Sequence, residues 1–148
     1  MKFTTCIAIF TAAFCASVFA NPLTIDQVKF SNAWVKKPMP GMAMTAGFVD
    51  IKNLSGKDLK LVAVRTSVSK VAELHTMVMV DKVMQMRQII DGWVIAPGQT
   101  LTLAPGGNHA MLMGIDADLK NKADVELEFN IEGIGWILVP AAVQAPNL

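Results

Sequence analysis

The sequence has few residues for covalent cross-links or for redox chemistry. Its only two cysteines, Cys6 and Cys15, lie in the first twenty residues, and it has no tyrosine and only two histidines. Without that first segment, the chain has no thiol for a disulfide or for a blue-copper centre, which needs a cysteine ligand. The remaining chain must therefore be stable through packing alone, and any metal that it binds must be held without thiolate.

The first twenty residues are typical of a signal peptide. Lys2 gives a positive start, residues 7–19 are apolar and uncharged, and Ala20 is the small residue that signal peptidase prefers. Because the apolar stretch is short and no stop-transfer pattern follows, we expect cleavage after Ala20 and export to the periplasm without a membrane anchor. Cys15 suggests a lipoprotein, but Phe14 stands where a lipobox requires a small residue.

The mature chain, residues 21–148, has no excess of either charge. Without Lys2 it carries 12 basic and 12 acidic side chains. A neutral chain that has no run of basic residues gives no reason to expect nucleic acid as a partner. It also contains no repeat, low-complexity segment or linker, so we expect one domain, in monomeric form, across residues 21–148.

The mature sequence is patterned as short strands between turn residues. In residues 124–131, for example, apolar and polar side chains alternate without a break. No segment keeps apolar residues at helical spacing for three turns, and only residues 116–122 favour a single helical turn. About eight or nine short strands predict an all-β sandwich with Greek-key connections. We expect the first strand at residues 25–30, ending at Ser31-Asn32, and the last at residues 135–139, before a loose tail.

Each histidine is followed by methionine two residues later. His75 precedes Met77, and His109 precedes Met111, with Met113 two residues further on. Side chains at positions i and i+2 of a strand share a face, so each histidine should share a face with the methionines that follow it.

Asp81-Lys82 predicts a tight hairpin between residues 71–80 and 83–90. With two turn residues, Met77 lies opposite Met86, and His75 lies on the diagonal to Met86. Diagonal neighbours are roughly 7–8 Å apart, within reach of long side chains on a common ion. In this register the hairpin brings Met86 into reach of His75. Asp-Lys is not the preferred turn pair, and a longer loop would shift the register.

The types of ligand predict the type of metal. Thioethers are soft and neutral, imidazole is borderline, and no carboxylate or thiolate recurs at the same spacing. This set favours Cu(I) over Zn(II), Mg(II) or Ca(II). Met79 and Met84 are expected to serve in packing, as methionine often does. Glu73 is expected to be solvated, with the alternative that it orients a histidine or a partner protein.

The loop at residues 36–41 and the residues after it carry three more methionines. Met39, Met42 and Met44 follow Lys36-Lys37 in a stretch rich in proline and glycine. Two interpretations stay open: a hydrophobic loop that packs on the sandwich, or an apolar rim around the copper that could also be a transient second site.

Residues 72–79, 83–87 and 103–114 resemble the periplasmic copper chaperone family known as PCuA(C). The family motif is a His, ten residues, a Met, twenty-odd residues, then His-x-Met. Here 10 residues separate His75 from Met86 and 22 separate Met86 from His109, one more than is usual in the family. The extra residue falls in loops around Asp91-Gly92 and Pro97-Gly98, which tolerate insertions. The resemblance extends from about residue 33 to residue 140.

This resemblance implies a cupredoxin-like sandwich that binds Cu(I) near its surface and is not an enzyme. The implied ligands are His75, Met86, His109 and Met111, with Met77 and Met113 in reserve. It also implies delivery of copper toward the CuA centre of cytochrome c oxidase, with a Sco-type protein as co-worker or recipient. Some members have a His/Met-rich tail for a second copper, but residues 140–148 contain neither residue.

Two other functions compete with a copper carrier. A copper-dependent redox enzyme needs an open coordination position, a substrate cleft and acid–base groups, for which the mature chain offers few residues. An immunoglobulin-like interaction module without a functional metal needs only the fold. Tight binding of one Cu(I) per chain distinguishes the carrier from the module.

Overall fold

The structure is a computed structural model that describes residues 22–25 and 27–145. The predicted signal peptide, with both cysteines and the cleavage site after Ala20, lies outside the described residues. Within the part of the chain that is described, no helix is long and apolar enough to cross a membrane.

The described chain is almost entirely β-structure. It contains eleven strands and one 3-10 turn, Leu119–Asn121, within the segment predicted to make a single helical turn. The strands are β1 (Leu23–Ile25), β2 (Val28–Lys36), β3 (Met44–Asn53), β4 (Leu59–Arg65), β5 (Ser69–Val80), β6 (Val83–Gln88), β7 (Trp93–Ile95), β8 (Thr100–Leu103), β9 (His109–Ile115), β10 (Asp124–Ile131) and β11 (Gly135–Gln144). The all-β class is confirmed, with more strands than the eight or nine expected.

The strands form one continuous hydrogen-bonded series that folds over a common core. Their order is β6-β5-β9-β3-β2-β11-β10-β4-β7, with β1 on β2 and β8 on β3. β4 and β5, far apart in this order, also approach each other. The enclosed core is apolar, and within it the rings of Phe30 and Phe129 stack with centroids 5.9 Å apart.

The first predicted strand is wrong in its bounds. β1 ends at Ile25 and β2 begins at Val28, which pairs with Ile25, and β2 continues through Ser31-Asn32, where a break was expected. Asn32 has a φ of 54°, and the register with β3 shifts between Ser31 and Trp34. The polar dipeptide therefore makes a bulge within the strand, because asparagine tolerates the left-handed conformation.

The last predicted strand is also too short. β11 runs to Gln144, through Pro140, where a loose tail was expected. Pro140 lies opposite Glu126 of β10, and the parallel pairing with β2 begins only at Ala142. Because β2 does not pair with β11 at Pro140, the missing N–H removes no hydrogen bond on that side, and the strand can continue.

Asn53, at the end of β3, forms a buried hydrogen-bonded cluster. It has 0% exposure, and its Nδ2 donates to the carbonyl oxygens of Lys57 and Ile95, both at 2.7 Å. Its Oδ1 accepts from the backbone N–H and the hydroxyl of Ser55 at 2.8 and 2.6 Å. One side chain therefore fixes β3, the following turn and β7 to one another.

Candidate metal centre

The two histidines lie directly opposite each other on adjacent strands. β5 and β9 pair antiparallel, and in their register His75 is opposite His109. The centroids of the two imidazole rings are 5.8 Å apart. His109 is buried, with 5% exposure, and His75 is partly buried. The ring nitrogens of both residues can therefore converge on one small ion.

The predicted hairpin between β5 and β6 has the expected register. Met77 pairs with Met86 and Met79 with Met84, so His75 lies on the diagonal to Met86. Both turn residues, Asp81-Lys82, have positive φ, 50° and 66°. These are the angles of a two-residue hairpin turn, which usually contains glycine or asparagine.

Hydrogen bonds leave one ring nitrogen of each histidine for a metal. His109 Nδ1 lies 3.0 Å from the carbonyl oxygen of Gly107, to which it can only donate, so its Nε2 carries the lone pair. His75 Nε2 lies 2.8 Å from Glu73 Oε2, so it donates and Nδ1 carries the lone pair. His75 Nδ1 is buried and has no hydrogen-bond partner among the described residues.

An unpartnered buried nitrogen is a cost that a metal ion would remove. Leaving a buried acceptor without a partner destabilises a protein by about 1–3 kcal/mol. His75 Nδ1 faces this cost, while its other nitrogen is held by a carboxylate, the arrangement that commonly orients metal-binding histidines. Of the two interpretations of Glu73, the structure supports the one in which it orients a histidine.

Nine methionines lie on or over the face of the sheet that carries both histidines. The tenth, Met1, is outside the described residues. Strand registers place seven side chains on this face, and two more belong to the loop above it. We call this surface the methionine face; its members are Met39, Met42, Met44, Met77, Met79, Met84, Met86, Met111 and Met113.

The structure brings some of the predicted ligands close to one another and leaves others further away. Met86, His109 and Met111 line one cleft of about 200 Å³. His75 reaches this group through its contact with the ring of His109. Of the reserve ligands, Met77 is next to Met86 across the hairpin, whereas Met113 pairs with Met44, further from the histidines.

Two loop methionines and Met44, at the start of β3, form a rim around this cleft. Met39, Met42 and Met44 are exposed, and all three line the same cleft as Met86 and His109. The structure therefore favours an apolar rim over a loop that is buried against the sandwich. Met79 and Met84 also differ from the expectation: they were assigned to packing, but they are 64% and 45% exposed.

The candidate centre is poor in oxygen ligands. Among residues 22–25 and 27–145, no group of three or more His, Cys, Asp or Glu side chains is placed to hold a metal. The carboxylate of Glu73, beside His75, is hydrogen-bonded to that histidine. The donors that remain are two imidazoles and several thioethers, a set that suits soft monovalent ions.

Comparison with known proteins supports this description. The sequence model of the LpqE-like lipoprotein family matches residues 28–143. The chain belongs to the LpqE-like family. Lxx21020 of Leifsonia xyli subsp. xyli, whose name also describes a lipoprotein, is 38% identical over 117 residues, which are 78% of this chain and 69% of that protein.

Solved PCuAC domains share the fold of this LpqE-like chain. The copper-bound PCuAC domain from PmoF2 has a TM-score of 0.66 at 21% identity, over 84% of this chain and 98% of that domain. Apo-DR1885 from Deinococcus radiodurans has a TM-score of 0.62 at 23% identity, over 99% and 97%. The Cu(I) form of DR1885 is 28% identical, with a TM-score of 0.58 over 84% of this chain and 81% of that protein. The expected likeness to the PCuA(C) family is confirmed.

Proposed function

We propose that this chain is a Cu(I) carrier of the cell envelope. One Cu(I) is held by His75 Nδ1, His109 Nε2 and the thioethers of Met86 and Met111. The observation that carries the proposal is the histidine pair: the rings lie opposite each other, and hydrogen bonds to Glu73 and Gly107 leave one nitrogen of each ring available for a metal. The Cu(I) form of DR1885, at 28% identity, supports the choice of ion.

A carrier must release its ion as well as hold it. The two histidines are buried or partly buried, but Met86 is 47% exposed at the edge strand β6. Thioethers are weak, neutral ligands, so a partner protein can displace Met86 first, while the imidazoles still hold the ion. The copper is cargo and keeps its oxidation state, so the proposal includes no catalytic step.

Replacing Glu73 tests how the site is organised. Glu73→Ala should lower Cu(I) affinity roughly 10- to 100-fold, as the loss of a residue that orients a ligand usually does. Glu73→Gln keeps an acceptor for His75 Nε2 and should stay within about threefold of the wild type. The measurement is competition with a chromophoric Cu(I) chelator.

The matched control for Glu73 is Glu126→Ala. Glu126 is an exposed glutamate on β10, away from the methionine face. The Glu126→Ala substitution should therefore leave the affinity for Cu(I) unchanged. Equal losses in the Glu73→Ala, Glu73→Gln and Glu126→Ala variants would contradict an orienting role and would indicate a general effect of net charge.

We propose that the chain is exported to the periplasm and that its signal peptide is cleaved after Ala20. We also propose that it is not anchored at Cys15, because Phe14 breaks the lipobox pattern. The proposed acceptors are a Sco-type protein and the CuA subunit of cytochrome c oxidase. In this compartment the carrier acts as a monomer that meets its acceptors by diffusion.

Transfer of copper tests the choice of acceptor. The Cu(I)-loaded protein is mixed with a purified Sco-type protein or a soluble CuA domain, and the metal in each is measured over time. We expect transfer at least tenfold faster than the release of Cu(I) to buffer that contains a chelator. A transfer rate equal to that of spontaneous release would contradict delivery through a complex.

A further inference from the structure

The outer end of the β5–β6 hairpin carries four thioethers, of which the proposed copper site uses only Met86. Met77 and Met79 lie on β5, directly opposite Met86 and Met84 on β6. Side chains in directly opposed pairs have Cβ atoms about 4.5–5.5 Å apart, and both pairs point to the methionine face. The four methionines therefore occupy adjacent positions on one strand face, from beside His75 to the hairpin turn.

Packing does not account for this group. Met79 is 64% exposed, Met84 45% and Met86 47%, so these side chains contribute little to the core. Polar or β-branched side chains would serve an exposed hairpin at least as well. What the four methionines share is a soft, neutral sulfur atom at the surface, and this is the chemistry that Cu(I) and Ag(I) prefer.

The hairpin turn enforces the pairing of these methionines. Asp81 and Lys82 both adopt positive φ, which is costly for residues other than glycine, and the two-residue turn fixes which residues face each other. A slip of one residue would turn both methionines of one strand toward the opposite face. The observed register is therefore the one that collects all four thioethers.

We propose that Met77, Met79, Met84 and Met86 form an outer soft-metal site, which takes up Cu(I) and passes it to the histidine pair. This proposal rests on the carrier function described above. Met86 belongs to both sites: it pairs with Met77 in the outer site and lies diagonal to His75 in the inner one. One ligand can thus stay bound while the others change.

The transfer step is an exchange of neutral ligands. The sulfur atoms of Met79, Met84 and Met77 leave the ion in turn. His75 Nδ1, His109 Nε2 and the sulfur of Met111 replace them, while Met86 stays bound. No electron or proton moves, because both nitrogens already carry lone pairs. Residues two apart on a strand are about 7 Å apart, so each exchange spans a distance that a methionine side chain can cover.

The test separates the two sites by removing the inner one. The protein is labelled with ¹³C at the methionine methyl groups and titrated with Ag(I), a stable substitute for Cu(I). In the His75→Ala/His109→Ala variant, the outer site predicts shifts in the methyl signals of Met77, Met79, Met84 and Met86, with affinity at least tenfold weaker than that of the wild type. Adding Met79→Leu and Met84→Leu to this variant should abolish the shifts; these changes conserve volume and keep the fold.

Val83→Leu in the same histidine-free background is the matched control. It alters an exposed apolar side chain beside the turn without removing a sulfur, so Ag(I) should still shift the four signals. No methionine shift in the histidine-free protein, or shifts confined to Met111 and Met113, would overturn the outer site and leave the carrier function intact. If the wild type also binds no Ag(I), the carrier function itself fails.

Discussion

Replacing both histidines, as His75→Ala and His109→Ala, is expected to lower the affinity for Cu(I) by at least roughly 1,000-fold, or about 4 kcal/mol. The loss of one residue that merely orients a ligand costs about 10- to 100-fold, so the loss of two ligands must cost more. The two rings lie 5.8 Å apart and present one free nitrogen each. Without them the inner site keeps only thioethers, which bind more weakly.

Competition with a chromophoric chelator measures this loss. Because His109 is buried, a second variant, His75→Gln/His109→Gln, fills more of the space and guards against a folding defect. Gln88→Ala is the matched control, since Gln88 lies opposite His75 on β6 but is not a proposed ligand. If the double variants bind Cu(I) as tightly as Gln88→Ala does, the histidine pair is not the site.

Removing the side chain of Asn53 is expected to destabilise the fold by about 4 kcal/mol, which is large against a typical total of 5–15 kcal/mol. The Asn53 side chain makes four hydrogen bonds, each contributing about 1 kcal/mol, and its loss leaves buried partners unpaired. The carbonyl oxygen of Ile95 and the N–H of Ser55 are among them. Neither alanine nor leucine can satisfy these groups.

Urea unfolding of Asn53→Ala and of the wild type measures this effect. Asn121→Ala is the control, because Asn121 is exposed and makes a single side-chain bond, to Asp118 at 2.8 Å. Asn121→Ala should change the free energy of unfolding by less than about 1 kcal/mol. Equal effects from the two asparagines would show that the buried cluster adds no special stability.

The arrangement within each strand was predictable from the sequence. Alternation along a strand places His109 and Met111 on one face, and a two-residue turn at Asp81-Lys82 sets the register of the hairpin. The structure shows this register, with Met77 opposite Met86. These features depend on neighbours in the chain, so local patterns are sufficient to predict them.

The pairing between strands distant in sequence was not predictable. His75 and His109 face each other because β5 pairs with β9, and no local pattern specifies that pairing or its register. The hydrogen bond that His75 donates to Glu73 was not predictable for a similar reason. Both residues lie on one strand face, but their rotamers depend on the surrounding packing. The last strand was expected to end at residue 139, but the late start of pairing with β2 lets β11 continue through Pro140.

The fold and the site together suit the binding of soft metal ions. The core is apolar and contains the buried Asn53 cluster, whereas the methionine face presents exposed sulfur atoms. Both histidines lie on this face, where β5 pairs with β9. Ions that prefer oxygen find few ligands here, since the nearby carboxylate already accepts a hydrogen bond from His75.

X-ray absorption at the copper edge, on the wild-type protein loaded with one Cu(I), tests the central claim most directly. We predict a first coordination shell of two imidazole nitrogens and two thioether sulfurs, from His75, His109, Met86 and Met111. In the His75→Ala/His109→Ala variant, the scattering from imidazole should disappear. A wild-type shell that contains only nitrogen and oxygen, or the absence of stoichiometric binding, would contradict the proposed centre.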